Sequence, residues 1–201
     1  VLVKNTSGAV ANRFRALGID GVEVEPADDL TTFKDDFILT GDTPATGDNV
    51  GKYCVLQEDL ADDDVGIALI HGVSVVELDV PGTDYGQRFV DITNATTLLT
   101  ESWYGAAEIV AGPWTDDSKR WAMVRLGIFQ SPIYQAIVTE SGGIAANGSG
   151  DCEIQVAGVA KETVTGHLKW MEGTTTAAEN DECLVRFDRD YQRWQIDALE
   201  C

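Results

Sequence analysis

Hydrophobicity along this chain repeats every second residue, and turn-forming residues interrupt it at short intervals. In Arg120 to Leu126, Trp121, Met123 and Arg125 share one face while Ala122, Val124 and Leu126 share the other. Side chains alternate across a strand, so the pattern predicts half-buried β-strands. Lys52 to Gln57 and Gly66 to Val80 flank an acidic turn and predict a hairpin whose second strand bends at Gly72. Ala106 to Ala111 and Arg120 to Leu126 flank a turn at 112–118. Ile133 to Glu140, Cys152 to Ala157, Val164 to Trp170, Cys183 to Asp188 and Trp194 to Ala198 continue the series. Many short strands with evenly spaced turns indicate a mainly β chain built from barrels or sandwiches.

Pro132 favours an extended link between strand-like flanks. The expected organisation is therefore two β-barrel or sandwich-like modules, residues 1–130 and 131–201. One short helix is expected near residues 27–37, capped by Asp28 or Asp29. Leu30, Phe33 and Phe37 fall on one side of it, a spacing that predicts packing against a sheet.

Charge narrows the partners. The 201 residues hold 34 Asp and Glu against 14 Lys and Arg, a formal net charge of -20. Such a surface repels phosphate backbones and anionic lipid, so neither nucleic acid nor a membrane is expected as a partner. No apolar run reaches the roughly 18 residues of a membrane-spanning helix. The acidic run Glu58, Asp59, Asp62, Asp63 and Asp64 lacks the alternating ligand spacing of a calcium loop. The chain opens on Val1 inside a strand-like run, and the expectation is a piece of a longer or processed protein.

No catalytic motif is complete in the chain, and the expectation is a protein that is not an enzyme and holds no metal or cofactor. The two histidines, His71 and His167, belong to no paired-ligand spacing. Gly72-Val73-Ser74-Val75 lacks the second glycine of a nucleophile elbow. In Thr46 to Tyr53 the first glycine sits one position too late for a phosphate loop, and Tyr53 replaces the magnesium-binding hydroxyl. Glu140, before a glycine-rich loop, is the first carboxylate to suspect of acid–base work. Asn5, Asn94 and Asn147 sit in glycosylation sequons that read equally as turns. Of the five tryptophans, Trp121, Trp170 and Trp194 fall within alternating strands and predict core packing. Trp103, Tyr104 and Trp114 lie near turns and are the candidate surface contacts.

Four cysteines, Cys54, Cys152, Cys183 and Cys201, show no Cys-x-x-Cys spacing. A Cys152–Cys201 disulfide would tie down the C-terminal end, closing a loop of about 50 residues for ~4 kcal/mol in the chain-entropy model. Four reduced core thiols are the alternative, and the pairing of Cys54 and Cys183 stays open.

Several stretches together resemble uncharacterised structural proteins of tailed phages and prophages: VLVKNTSG at 1–8, RFRALGIDG at 13–21, DDLTTFK at 28–34, GKYCVL at 51–56, GIALIHGVSVVELDV at 66–80 and WAMVRLG at 121–127. AIVTESGGIA at 136–145, with Trp194 to Cys201, resembles a recurrent end segment of the same proteins, where the residue matching Cys152 recurs with the final cysteine. The resemblance implies a component of the virion, either capsid decoration or tail and fibre. Its partners would be other virion proteins and further copies of itself. A secreted or cell-surface adhesin that binds glycans is the alternative.

Overall fold

The computed structural model describes residues 1–79, 86–116, 118–168 and 176–199. The chain is mainly β and divides into two compact units, Val1–Gln130 and Ser131–Cys201. Two closed five-stranded barrels lie in the first unit and one in the second. Closure removes the free edges that open sheets must protect.

The first barrel contains β1 (Leu2–Asn5), β2 (Ala16–Val22), α1 (Leu30–Asp35), β3 (Ile38–Asp42), α2 (Thr46–Asn49), β4 (Tyr53–Leu56) and β5 (Val65–Leu69), with strand order β1-β3-β2-β4-β5. Its interior is built from Val3, Leu17, Leu39, Cys54, Leu56, Leu60 and Ala68. The Asn5 side chain is fully buried, and its Nδ2 donates to the carbonyls of Ala9, Leu60 and Ala61 at 2.7, 3.0 and 3.2 Å. Those bonds tie two loops to the end of β1 and supply the buried amide with acceptors.

Gly72, at φ +113°, marks a sharper event than a bend. The expected single strand divides there: β5 closes the first barrel, and β6 (Gly72–Leu78) opens the second. With β7 (Phe89–Ile92), β8 (Leu99–Ser102), β9 (Gly105–Asp116) and β10 (Lys119–Gln130), β6 forms a barrel in the order β10-β6-β8-β7-β9. Val76, Leu78, Val90, Leu99, Ala122, Val124 and Leu126 fill it.

The two barrels of this unit share a bonded seam. Glu77 N–H donates to Phe14 O at 3.0 Å, Ala16 N–H to Thr97 O at 2.7 Å, and Tyr53 O–H to Val90 O at 3.2 Å. Glu77, buried there, takes Arg15 Nε and Nη2 at 3.0 and 3.2 Å and Lys119 Nζ at 3.3 Å. Burial alone would raise its carboxyl, but the bonds and charge of Arg15 and then Lys119 outweigh that and hold it below the ordinary carboxylate range.

The helix forms where the caps predicted it. Asp29 accepts from the backbone N–H of Thr31 and Thr32 at 2.9 and 3.1 Å, lowering its own carboxyl. Its packing departs from expectation, because no α1 residue is buried; Leu30 stays 51% exposed, and Phe37, just beyond the helix, 48%. With none of its six residues buried, the cap carries much of the local structure. Asp29→Ala should speed amide exchange over Thr31–Asp36 about fivefold while leaving the global melting transition in place. Hydrogen exchange followed by mass spectrometry measures both.

The second unit holds β11 (Tyr134–Val138), β12 (Ser149–Val156), β13 (Val159–Leu168), β14 (Glu182–Asp188) and β15 (Arg193–Leu199) in the order β11-β12-β13-β15-β14. Ala157 and Gly158, at φ +53° and +74°, make the two-residue turn between β12 and β13. Ala136, Val138, Ile154, Val185 and Ile196 point inward.

Among the described residues no disulfide forms: Cys54, Cys152 and Cys183 are buried free thiols, which corrects the expected bridge from Cys152. Cys201 and Trp170 lie outside the described residues. The thiol facing Cys152 is Cys183, and the two hydrogen-bond each other. They flank β11 from either side, where Cys152 pairs with Val138 and Cys183 with Ala136. Two inter-strand steps of about 4.8 Å exceed the roughly 5.5–6 Å Cα spacing of a disulfide. The bond to Cys152 and burial push the Cys183 thiol up, and burial pushes Cys54 up to about 12, so both are poor nucleophiles at neutral pH.

Candidate contact surface

Alternation on β6 and β10 puts one set of side chains into the second barrel and the other set on its outside. Val73 and Val75 stand outward on β6, opposite Arg125 and Met123 of β10, and Met123 in turn pairs with Ala111 of β9. Trp121 pairs with Trp114 across the same hairpin. Val73, Val75, Met123 and Trp114 are all exposed, so a band of apolar side chains runs across three neighbouring strands. Such a band on an acidic protein is the candidate contact surface.

The band is fixed in place. The register slips between Trp121 and Met123, where two residues of β9, Gly112 and Pro113, stand opposite the single Ala122 of β10. Gly112, at φ +96°, lies beneath the Trp114 ring, and a Cβ there would come within 3.0 Å of it. Trp121 stands edge-on to Phe14, ring centroids 6.4 Å apart at 87°. Arg13 sits over Phe14 at 4.3 Å, and Lys119 over Trp121 at 5.7 Å. Glu108 bridges Arg125 and Arg88, each at 3.3 Å. Cations thus fringe the band, on a chain whose charge is otherwise strongly negative.

The structure separates the nominated aromatic residues. Trp114 is 55% exposed and belongs to the band. Trp103 is 4% exposed, which removes it from any surface. Leu99, Glu101 and Trp103 alternate onto one buried side, where Arg120 Nη2 pairs with Glu101 Oε2 at 2.7 Å. Tyr104 is half-buried, with its ring 6.0 Å from Phe129.

The other nominated groups have local structural roles. Glu140 Oε2 accepts from Asp151 N–H at 3.1 Å, bracing the loop before β12. Ser149 Oγ and His167 Nδ1 lie 2.9 Å apart as a cross-strand pair on β12 and β13, an arrangement that steadies a sheet face. Burial and then Arg193 hold the His167 ring below its ordinary value, so it is neutral at pH 7. His71 lines a pocket of about 190 Å³ with Phe89, Glu108, Arg125 and Gln130. Among the described residues no group of three or more His, Cys, Asp or Glu is placed to hold a metal ion.

Sequence alternation separated the two faces of β10 but assigned Trp121 to a core, whereas it stands half-buried on the outer face beside Met123 and Trp114. It missed Val73 and Val75, because their strand was read as a continuation of β5, and it missed the cationic fringe, which is assembled from separate segments. Comparison of the chain with protein-family models, curated proteins and solved structures finds no match.

Proposed function

We propose that this chain is a non-enzymatic structural component of a tailed-bacteriophage particle, a capsid decoration or tail/fibre protein that acts through protein–protein contacts. The observation that carries the reading is the exposed band Val73, Val75, Met123 and Trp114 on the outside of a closed barrel. A closed barrel cannot recruit partners by adding strands, so its contacts run through side chains on its faces. The resemblance of its packing and turn motifs to virion proteins supports the same assignment, as does an acidic surface suited to an extracellular particle.

Purified particles should contain the chain in stoichiometric amount, bound through salt and density-gradient steps, with antibody label at regular positions in negative stain. Particles free of the chain would rule the assignment out.

One observation favours glycan binding by a surface adhesin instead: the exposed Trp114 ring next to Trp121, a surface on which a sugar face could stack. That reading predicts retention on a glycan array, lost on Trp114→Ala. The structural reading predicts no glycan retention.

A further inference from the structure

We propose that the chain self-associates head to tail, the α1 excursion of one copy seating on the outer face of β6, β10 and β9 of the next. The inference rests on the reading that this chain works through protein contacts, and it names the partner as a second copy.

Both surfaces lie in the first unit, and each lacks what the other offers. Residues 23–37 leave the first barrel between β2 and β3 and bury none of the α1 side chains. Leu30 and Phe37 are exposed, and Phe33 and Phe37 meet edge-on at 5.8 Å, forming an apolar knob. Exposed Glu25, Asp28, Asp35 and Asp36 surround it, with Lys34 the only cation of the segment. The receiving face is the apolar band of Val73, Val75, Met123 and Trp114, fringed by Arg13, Lys119, Arg125 and Arg88, a set of cations that outnumbers the carboxylates Glu77 and Glu108 paired with it. Knob against band buries apolar surface on both sides and sets carboxylates against cations.

Charge selects the geometry. Band against band would oppose cationic fringes, and knob against knob would oppose carboxylates. Either symmetric dimer therefore pays like-charge repulsion, whereas the head-to-tail contact gains from the same charges. A contact between two different surfaces propagates into a ring or a filament, the way symmetric shells and tubes are built.

The test uses the full chain and two exposed substitutions that leave both cores intact. Phe37→Glu blunts the knob, and Met123→Glu charges the band. Sedimentation velocity should show concentration-dependent oligomers of the unsubstituted chain that dissociate in high salt. Each variant alone should associate at least about tenfold more weakly. An equimolar mixture should form a dimer and nothing larger, because one intact knob meets one intact band. A chain that stays monomeric at every concentration overturns the inference, as does a variant that assembles like the parent or a mixture that forms no dimer. Particle content decides the structural reading separately, so failure of one leaves the other standing.

Discussion

Glu77→Ala should lower the stability of the first unit by about 3 kcal/mol, among the larger effects available from one side chain, since it strands Arg15 beside a buried seam. Glu77 is buried, and both of its carboxylate oxygens are engaged, by Arg15 and Lys119. Removing the carboxylate leaves Arg15, itself largely covered, without its charge partner where water cannot fully replace it. The cost belongs to the broken pair rather than to the site. Glu77→Leu combined with Arg15→Met should therefore recover most of the loss, as buried ion pairs often exchange for apolar packing at little cost. Urea denaturation of the single and paired variants measures both numbers.

The same carboxyl gives a pH signature. Its folded-state pKa is depressed, so its contribution is fully present above the unfolded value near 4.3 and is lost as pH falls through the folded value. The parent should weaken below about pH 4 more steeply than the paired variant, which lacks the titrating group.

Glu77 also shows where sequence reading stops. Strand alternation places it on the outside of β6 with Val73 and Val75, a position where a carboxylate needs no explanation. It is buried because the first barrel covers that end of the strand, and nothing local in Ser74-Val75-Val76-Glu77 encodes a neighbour from residues 13–16. Trp103 fails for the converse reason. Its buried side is shared with Glu101, and a charged residue at an inward position breaks the apolar pattern that would have revealed the strand. In β10 the alternation reads cleanly, because Ala122, Val124 and Leu126 are apolar without exception and face a closed interior. The helix shows that a pattern can be right about conformation and silent about packing. Asp29 and the Leu30–Phe33–Phe37 spacing do specify a helix, but an apolar face need not be buried within its own chain, and here Leu30 and Phe37 stay exposed.

Gly143→Ala should be at least as damaging as the loss of Glu77, destabilising the second unit by about 3 kcal/mol or more. Gly143 has φ +79°, where any L side chain is strained. The larger obstacle is space: a Cβ there would lie 2.3 Å from Ala177 O and 3.0 Å from Ala178 Cα, both backbone atoms that no rotamer change can move. Ala177 O is already the acceptor for Ile144 N–H at 2.7 Å, and Ala177 N–H donates back to Ile144 O at 2.9 Å. Relieving the clash therefore means opening this two-bond bridge, which holds the 139–148 loop against the segment leading into β14. Ile144 and Ala177 are both buried, so the opened groups would have to find water at the barrel wall. Gly142, one residue earlier at φ +84°, has nothing within 4 Å of its Cβ position and serves as the control. Gly142→Ala carries the backbone strain without the clash, and should cost about 1 kcal/mol. Thermal denaturation of the two variants should separate them clearly, and equal losses would show that φ rather than the bridge sets the cost.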